Sequence, residues 1–207
     1  MMKICSQDVK RSALILLMIN SFCAFSQIPH DIIYVVGCFE NGTSEVQYEF
    51  DSEEMLYMDF DKSDIVYTVP GIFVDDPSTM FDHMNVFTNA NKGKNLCVAM
   101  LQYLKNEENN PPEEKDALFG HALLHCQFTS PDDFVYLGQL FFNKVLQLQY
   151  NSTLGKYTGY TEKTKDIAEG LNKNPKFIKE EKKHELKCKN HIAMFFDVFL
   201  KPGDCVY

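Results

Sequence analysis

Ile32-Ile33-Tyr34-Val35-Val36-Gly37-Cys38-Phe39, residues 32–39, is a β-branched, apolar run with a cysteine near its end, and it reads as a strand. A second cysteine-bearing strand run follows much later, ALLHCQFT at residues 122–129, with Cys126. Each run leads into further strand-like segments and then into a helical stretch with another cysteine. In the first half this is Cys97 in KNLCVAML, residues 94–101; in the second it is Cys188 in HELKCKNH, residues 184–191. The chain thus reads as two half-domains in series, neither long enough to bury a large core alone. Two four-stranded sheets side by side under two helices make one α+β platform with a groove on top. Such an architecture points to binding before catalysis.

Periodicity fills in the plan. Strands are expected at residues 32–39, 45–50, 55–60 and 65–69, the second alternating with Val46, Tyr48 and Phe50 on one side. Pro70-Gly71 ends this meander, Asp75-Asp76-Pro77-Ser78 offers cap residues, and residues 80–105 read as a long, broken helix. Residues 106–116, NEENNPPEEKD, are polar and proline-bearing and read as a linker. Strands follow at 118–129, 134–143, 145–150 and 156–160, then a helix over about 162–190 interrupted near Pro175. The expected divisions are a leader at 1–26, half-platforms at 27–105 and 117–192, and a tail at 193–207.

The leader sets the compartment. Lys3, Lys10 and Arg11 precede the apolar run Ala13 to Met18, and Ser26 suits cleavage, so residues 1–26 read as a secretory signal peptide with Gln27 as the mature N-terminus. No later segment reaches membrane-spanning length. Of seven cysteines, five follow the leader, enough for two disulfides and one odd thiol, Cys205. The expected pairs are Cys38–Cys97 and Cys126–Cys188, one staple per half, each closing a loop of about 60 residues. Asn41-Gly42-Thr43 and Asn151-Ser152-Thr153 are N-glycosylation sequons placed where turns belong.

Charge is uneven. Residues 27–116 hold 18 acidic against 5 basic residues, and residues 117–207 hold 10 against 12. The acidic half excludes a nucleic-acid partner, whose phosphates need a basic surface. His121, His125 and Cys126, with His184 and Cys188, have the residue types of a zinc site, but the staple claims both cysteines. No glycine-rich phosphate loop or nucleophile elbow occurs, so neither a metal, a cofactor nor an enzymatic activity is expected.

Longer blocks carry a resemblance. CFENGTSEVQYEFDSEEMLYMDFDKSDIVYTVP with KNLCVAML resembles the membrane-distal domain of a major histocompatibility complex class II alpha chain of a fish-like type. FGHALLHCQFTS, FFNK, QYNSTLGKYTGYTE and CKNH resemble the membrane-distal domain of a class II beta chain. Together they cover roughly residues 27–192. The resemblance implies an eight-stranded antiparallel sheet under two long helices, with the alpha-like half first. It implies peptide binding for presentation to an immune receptor such as a T-cell receptor, with other class II chains as partners, at the cell surface or outside the cell. The floor residues it implies are Tyr34, Val36, Val46, Tyr48, Leu56 and Tyr67, then Gly120, Ala122, Leu124, Tyr136, Gly138, Leu140, Gln147 and Tyr157. On the walls it implies Asn95, Leu171, Asn190 and His191.

Several residues depart from the family's pattern. Leu171 stands where the family has a groove tryptophan, and Gln102 and Ile167 replace a salt bridge across one groove end. The His–Asn pair after the helix cysteine is inverted as Asn190-His191. One residue fewer separates Leu171 from Cys188 than in the family, which is expected to shift the helix phase by about 100°. These changes keep a second expectation open: a non-classical or chaperone-like molecule with a closed groove. The run IAMFFDVFLKPG, residues 192–203, reads as an apolar, strand-like tail that either packs on the platform or exposes an apolar patch.

Overall fold

The computed structural model describes residues 28–71, 73–107 and 118–200. The expected signal peptide with Gln27, most of the linker, and the end of the tail with Cys205 lie outside the described residues. Eight strands form one antiparallel sheet: β1 (His30–Phe39), β2 (Ser44–Phe50), β3 (Glu53–Asp59), β4 (Asp64–Tyr67), β5 (Phe119–Ser130), β6 (Asp133–Phe142), β7 (Val145–Asn151) and β8 (Lys156–Gly159). Their spatial order is β4-β3-β2-β1-β5-β6-β7-β8. Each half is a meander, and the two first strands meet at the centre, from His30 opposite Phe128 to Phe39 opposite Phe119.

A short helix, α1 (Pro77–Phe81), starts where Asp76 accepts a hydrogen bond from the Ser78 amide and proline takes the first turn. A 3-10 turn, Asp82–Met84, ends at Asn85 in the left-handed region (φ 51°), and α2 (Val86–Glu107) follows. This is the break expected in the first helix. In the second half, α3 (Glu162–Lys173) opens with a Thr161–Thr164 capping box. Asn174 then ends α3 and caps α4 (Pro175–Phe199), with Pro175 in its first turn. Because the chain leaves the helix at Asn174, α4 sets its own phase, and the missing residue between Leu171 and Cys188 carries no rotation into it.

The tail departs from expectation. Residues 192–199 are helical and continue α4. Cys188, Ile192, Phe195 and Phe199 recur at helical spacing, and the first three are buried on one face. Packing of that face against the sheet outweighs the strand preference of the apolar run.

One disulfide, Cys38–Cys97, ties α2 to β1, and a second, Cys126–Cys188, ties α4 to β5, with Cα–Cα distances of 6.0 and 5.6 Å. They sit toward opposite ends of the central strand pair, since Cys38 faces Gly120 and Cys126 faces Ile32. Both cysteine pairs fix which sheet face carries the helices. The side chains of Ile32, Val36, Cys38 and Cys126 share that face and are buried. The candidate zinc ligands are split by the same alternation. His121 and His125 lie on the opposite face, where His121 stacks on Phe141 (ring centroids 4.5 Å apart) and His125 Nδ1 lies 2.8 Å from Asp31 Oδ2. Cys126 and Cys188 are bonded to each other.

Candidate functional site

A transverse row crosses all eight strands on the helix-bearing face. Tyr67, Leu56, Tyr48, Tyr34, Leu124, Gly138, Tyr150 and Tyr157 stand opposite one another in turn, from β4 to β8. A parallel row runs through Val46, Val36, Ala122, Leu140 and Leu148. All the floor residues expected from the sequence share this face except Gln147. A bulge between Leu140 and Phe141 shifts the register of β7, so that Leu148 and Tyr150 line the floor. Gln147 instead reaches Thr161 Oγ1 at the start of α3 (3.4 Å).

The floor is not evenly open. Val36, Val46, Tyr48, Leu56, Gly120 and Tyr136 are buried, whereas Tyr34, Tyr67, Ala122, Leu124, Gly138, Leu140 and Tyr157 are half-buried. Gly120 leaves no room for a ligand. A methyl group there would sit in ordinary contact with Leu101 (3.5 Å) and the Cys38 and Cys97 sulfurs (3.7 and 3.8 Å), so the first staple and α2 already cover this part of the floor.

The first wall is α2. Its backbone comes down on the floor at Gly93, where a Cβ would lie 2.8 Å from the Tyr34 hydroxyl and 2.9 Å from Val36 Cγ2. The Tyr34 hydroxyl donates to the Asn89 carbonyl (3.0 Å), and burial pushes its pKa well up. Val86, Ala90, Cys97 and Leu101 are buried toward the sheet. Lys94 lies over the Phe60 ring, on the outer flank. At about 100° per residue, Asn89, Leu96, Met100 and Tyr103 form the opposite flank, toward the second half. Asn95 is about 200° from Cys97 and exposed, so it points to solvent and not into the groove. Leu96 is the groove-side neighbour, 62% exposed, and Tyr103, 52% exposed, lies beside the departure noted at Gln102.

The second wall is α3 with α4. Thr164 and Ala168 are buried toward β8 and β7, and Ile167 and Leu171 are half-buried on the groove flank. Across the gap, the Lys163 ammonium lies 5.4 Å from the centre of the Tyr103 ring. On α4, Lys189 pairs with Asp132 (2.9 Å) and marks the outer flank. The groove flank therefore carries His184, Lys187, His191 and Met194. His191 is half-buried, and burial with the nearby Lys187 charge lowers its pKa to about 4. Asn190 is exposed on the solvent side, so the inverted pair presents its histidine, not its asparagine, to the groove.

Beneath α4 sits an acid that the sequence reading passed over. Glu181 accepts hydrogen bonds from the Tyr157 hydroxyl (2.5 Å) and the Tyr136 hydroxyl (3.1 Å), and His184 Nδ1 lies 3.3 Å away. Burial by itself would raise its pKa; hydrogen bonds from His184 and Tyr157 outweigh that and hold it below the usual glutamate range. In sequence it belongs to the run KEEKKHE, residues 179–185, which looks like a solvated face. Its i+7 spacing to Cys188 was the available signal.

The glycosylation candidates lie at turns. Asn41 is exposed between β1 and β2, and Asn151 is half-buried at the end of β7 with its side-chain oxygen accepting from the Thr153 amide (2.8 Å).

Comparison with known families agrees with this geometry. The family model described as class II histocompatibility antigen, alpha domain, matches residues 30–114, and the one described as class II histocompatibility antigen, beta domain, matches residues 95–195. The chain belongs to the class II histocompatibility family, alpha domain first and beta domain second. The two matches overlap over residues 95–114, the end of α2 and the linker. No curated protein matches the chain. Among the described residues, no helix of this class II-like protein is long and apolar enough to cross a membrane.

Proposed function

We propose that this class II-like chain binds a peptide between α2 and the α3–α4 wall and displays it to an immune receptor outside the cell. The observation that carries the reading is the open part of the floor. Tyr34, Ala122, Leu124, Gly138 and Leu140 stay half-exposed between the two walls, and exposed Leu96 and Tyr103 border them. Apolar side chains left uncovered in a concave site favour an apolar occupant. Asn89, Lys187 and His191 supply polar groups around it, whereas Gln102, about 140° from Cys97, is turned away. A secretory route agrees with the leader and with two disulfides in a small platform.

A second reading has its own support. Val36, Val46, Tyr48, Leu56 and Tyr136 are already covered, which favours a closed-groove, chaperone-like partner of other class II chains. Acid elution of the purified protein separates the two. Recovery of a mixed peptide population supports display, and a clean protein supports the closed groove.

A further inference from the structure

The two ends of the groove are built differently. At the end marked by His30 and Phe128, the last turns of α4 leave their own half and pack into the first. Phe195, fully buried, lies 5.1 Å (ring centroids) from Phe50 of β2 and 6.1 Å from Phe81 of α1. Phe199 lies 5.4 Å from Phe50 and 5.6 Å from Phe73, and the Phe195 and Phe199 rings are 5.5 Å apart. Ile192, also fully buried, belongs to the same cluster, which joins floor residues of both halves. At the other end the Lys163 ammonium lies 5.4 Å from the centre of the exposed Tyr103 ring across the gap between the walls. An exposed pair of this kind parts at little cost, whereas a dry aromatic cluster does not.

Resting on the peptide-binding reading, we infer that Phe195 and Phe199 are a stop: the groove is blind at this end, fixes ligand register there, and lets a longer ligand run out only past Tyr103. From Asn89 to Tyr103, α2 rises about 21 Å. That length matches about six residues of extended chain at 3.2–3.4 Å each. The ligand class is therefore a short peptide of about six residues held between stop and bridge, with extensions admitted at one terminus only.

The probe is a randomised hexapeptide library, presented as such and with a Gly-Ser extension at its amino or its carboxyl terminus. Extension at one terminus is expected to weaken binding to the purified chain by about tenfold or more, and extension at the other by far less. Phe199→Ala is expected to restore the refused extension. Equal tolerance of both extensions by the wild-type chain overturns the stop.

A second measurement works without any peptide. Removing a ring from a dry aromatic cluster leaves an apolar cavity that admits benzene. Benzene is expected to raise the melting temperature of Phe195→Ala or of Phe81→Ala, whose rings are fully buried in the same cluster, and to leave the wild type unchanged. If no peptide binds but this holds, the stop stands and the display reading fails. Stabilisation of the wild type, or of neither variant, overturns the stop.

Discussion

The two walls rest on one sheet by different physics. The first wall, α2, is seated by shape: a glycine lets its backbone settle on Tyr34 and Val36, and Cys97 locks it to β1. The second wall, α4, is seated partly by charge: Glu181 is held under the helix by two tyrosine hydroxyls, and His191 is buried in its neutral form. Contact geometry does not titrate, but a buried carboxylate and a buried imidazole do. The second wall should therefore loosen in acid while the first holds.

The largest expected effect is that acid response. The folded pKa of His191 is about 4, below its ordinary value of 6.5. Its contribution is complete above pH 6.5 and is lost as pH falls toward 4, on the order of 3 kcal/mol in all. Glu181 acts in the same direction at lower pH, because its folded pKa is also lowered: its contribution is present above the usual glutamate range and disappears as pH falls through the folded value. Thermal melts from pH 7 to pH 4 should show a falling stability that His191→Asn makes shallower. Hydrogen exchange at pH 5 should open α4 before α2. Equal opening of both helices would break the contrast between the walls.

Next is Gly93→Val, expected to cost about 2 kcal/mol by overpacking against Tyr34 and Val36. The loss should be the same at pH 7 and pH 5, and a loss confined to one pH would show that α2 is not seated by shape. Glu181→Gln should cost about 1–2 kcal/mol, since Tyr157 and Tyr136 donate to different carboxylate oxygens and the amide keeps only one acceptor, without the charge-assisted share of the bonds. Urea unfolding reads this directly. The smallest effect belongs to Tyr150→Phe. The Tyr150 hydroxyl is buried with no hydrogen-bond partner among the described residues, so its removal should change stability by less than about 0.5 kcal/mol.

Much of this architecture was legible in the chain. Strand positions, the break before Val86, the interruption at Pro175 and the two staples follow from alternation, turn residues and cysteine placement. What escaped was phase. Asn95 sits in a polar stretch beside Cys97, and only the seat of Gly93 on the floor decides which flank of α2 faces inward. Gln147 was one position from the floor because a bulge in β7 leaves no mark in the sequence. IAMFF satisfied both a strand and a helix. Its spacing from Cys188 placed Phe195 on the sheet face, but only the tertiary contacts with Phe50 and Phe81 reveal that it closes one groove end.

The most direct test of the whole account is mass spectrometry of material eluted in acid from the chain purified at neutral pH. A heterogeneous set of short peptides is expected, near six residues in their common core, with variable length at one terminus only. An empty eluate would contradict the display reading, and long peptides ragged at both termini would contradict the blind groove.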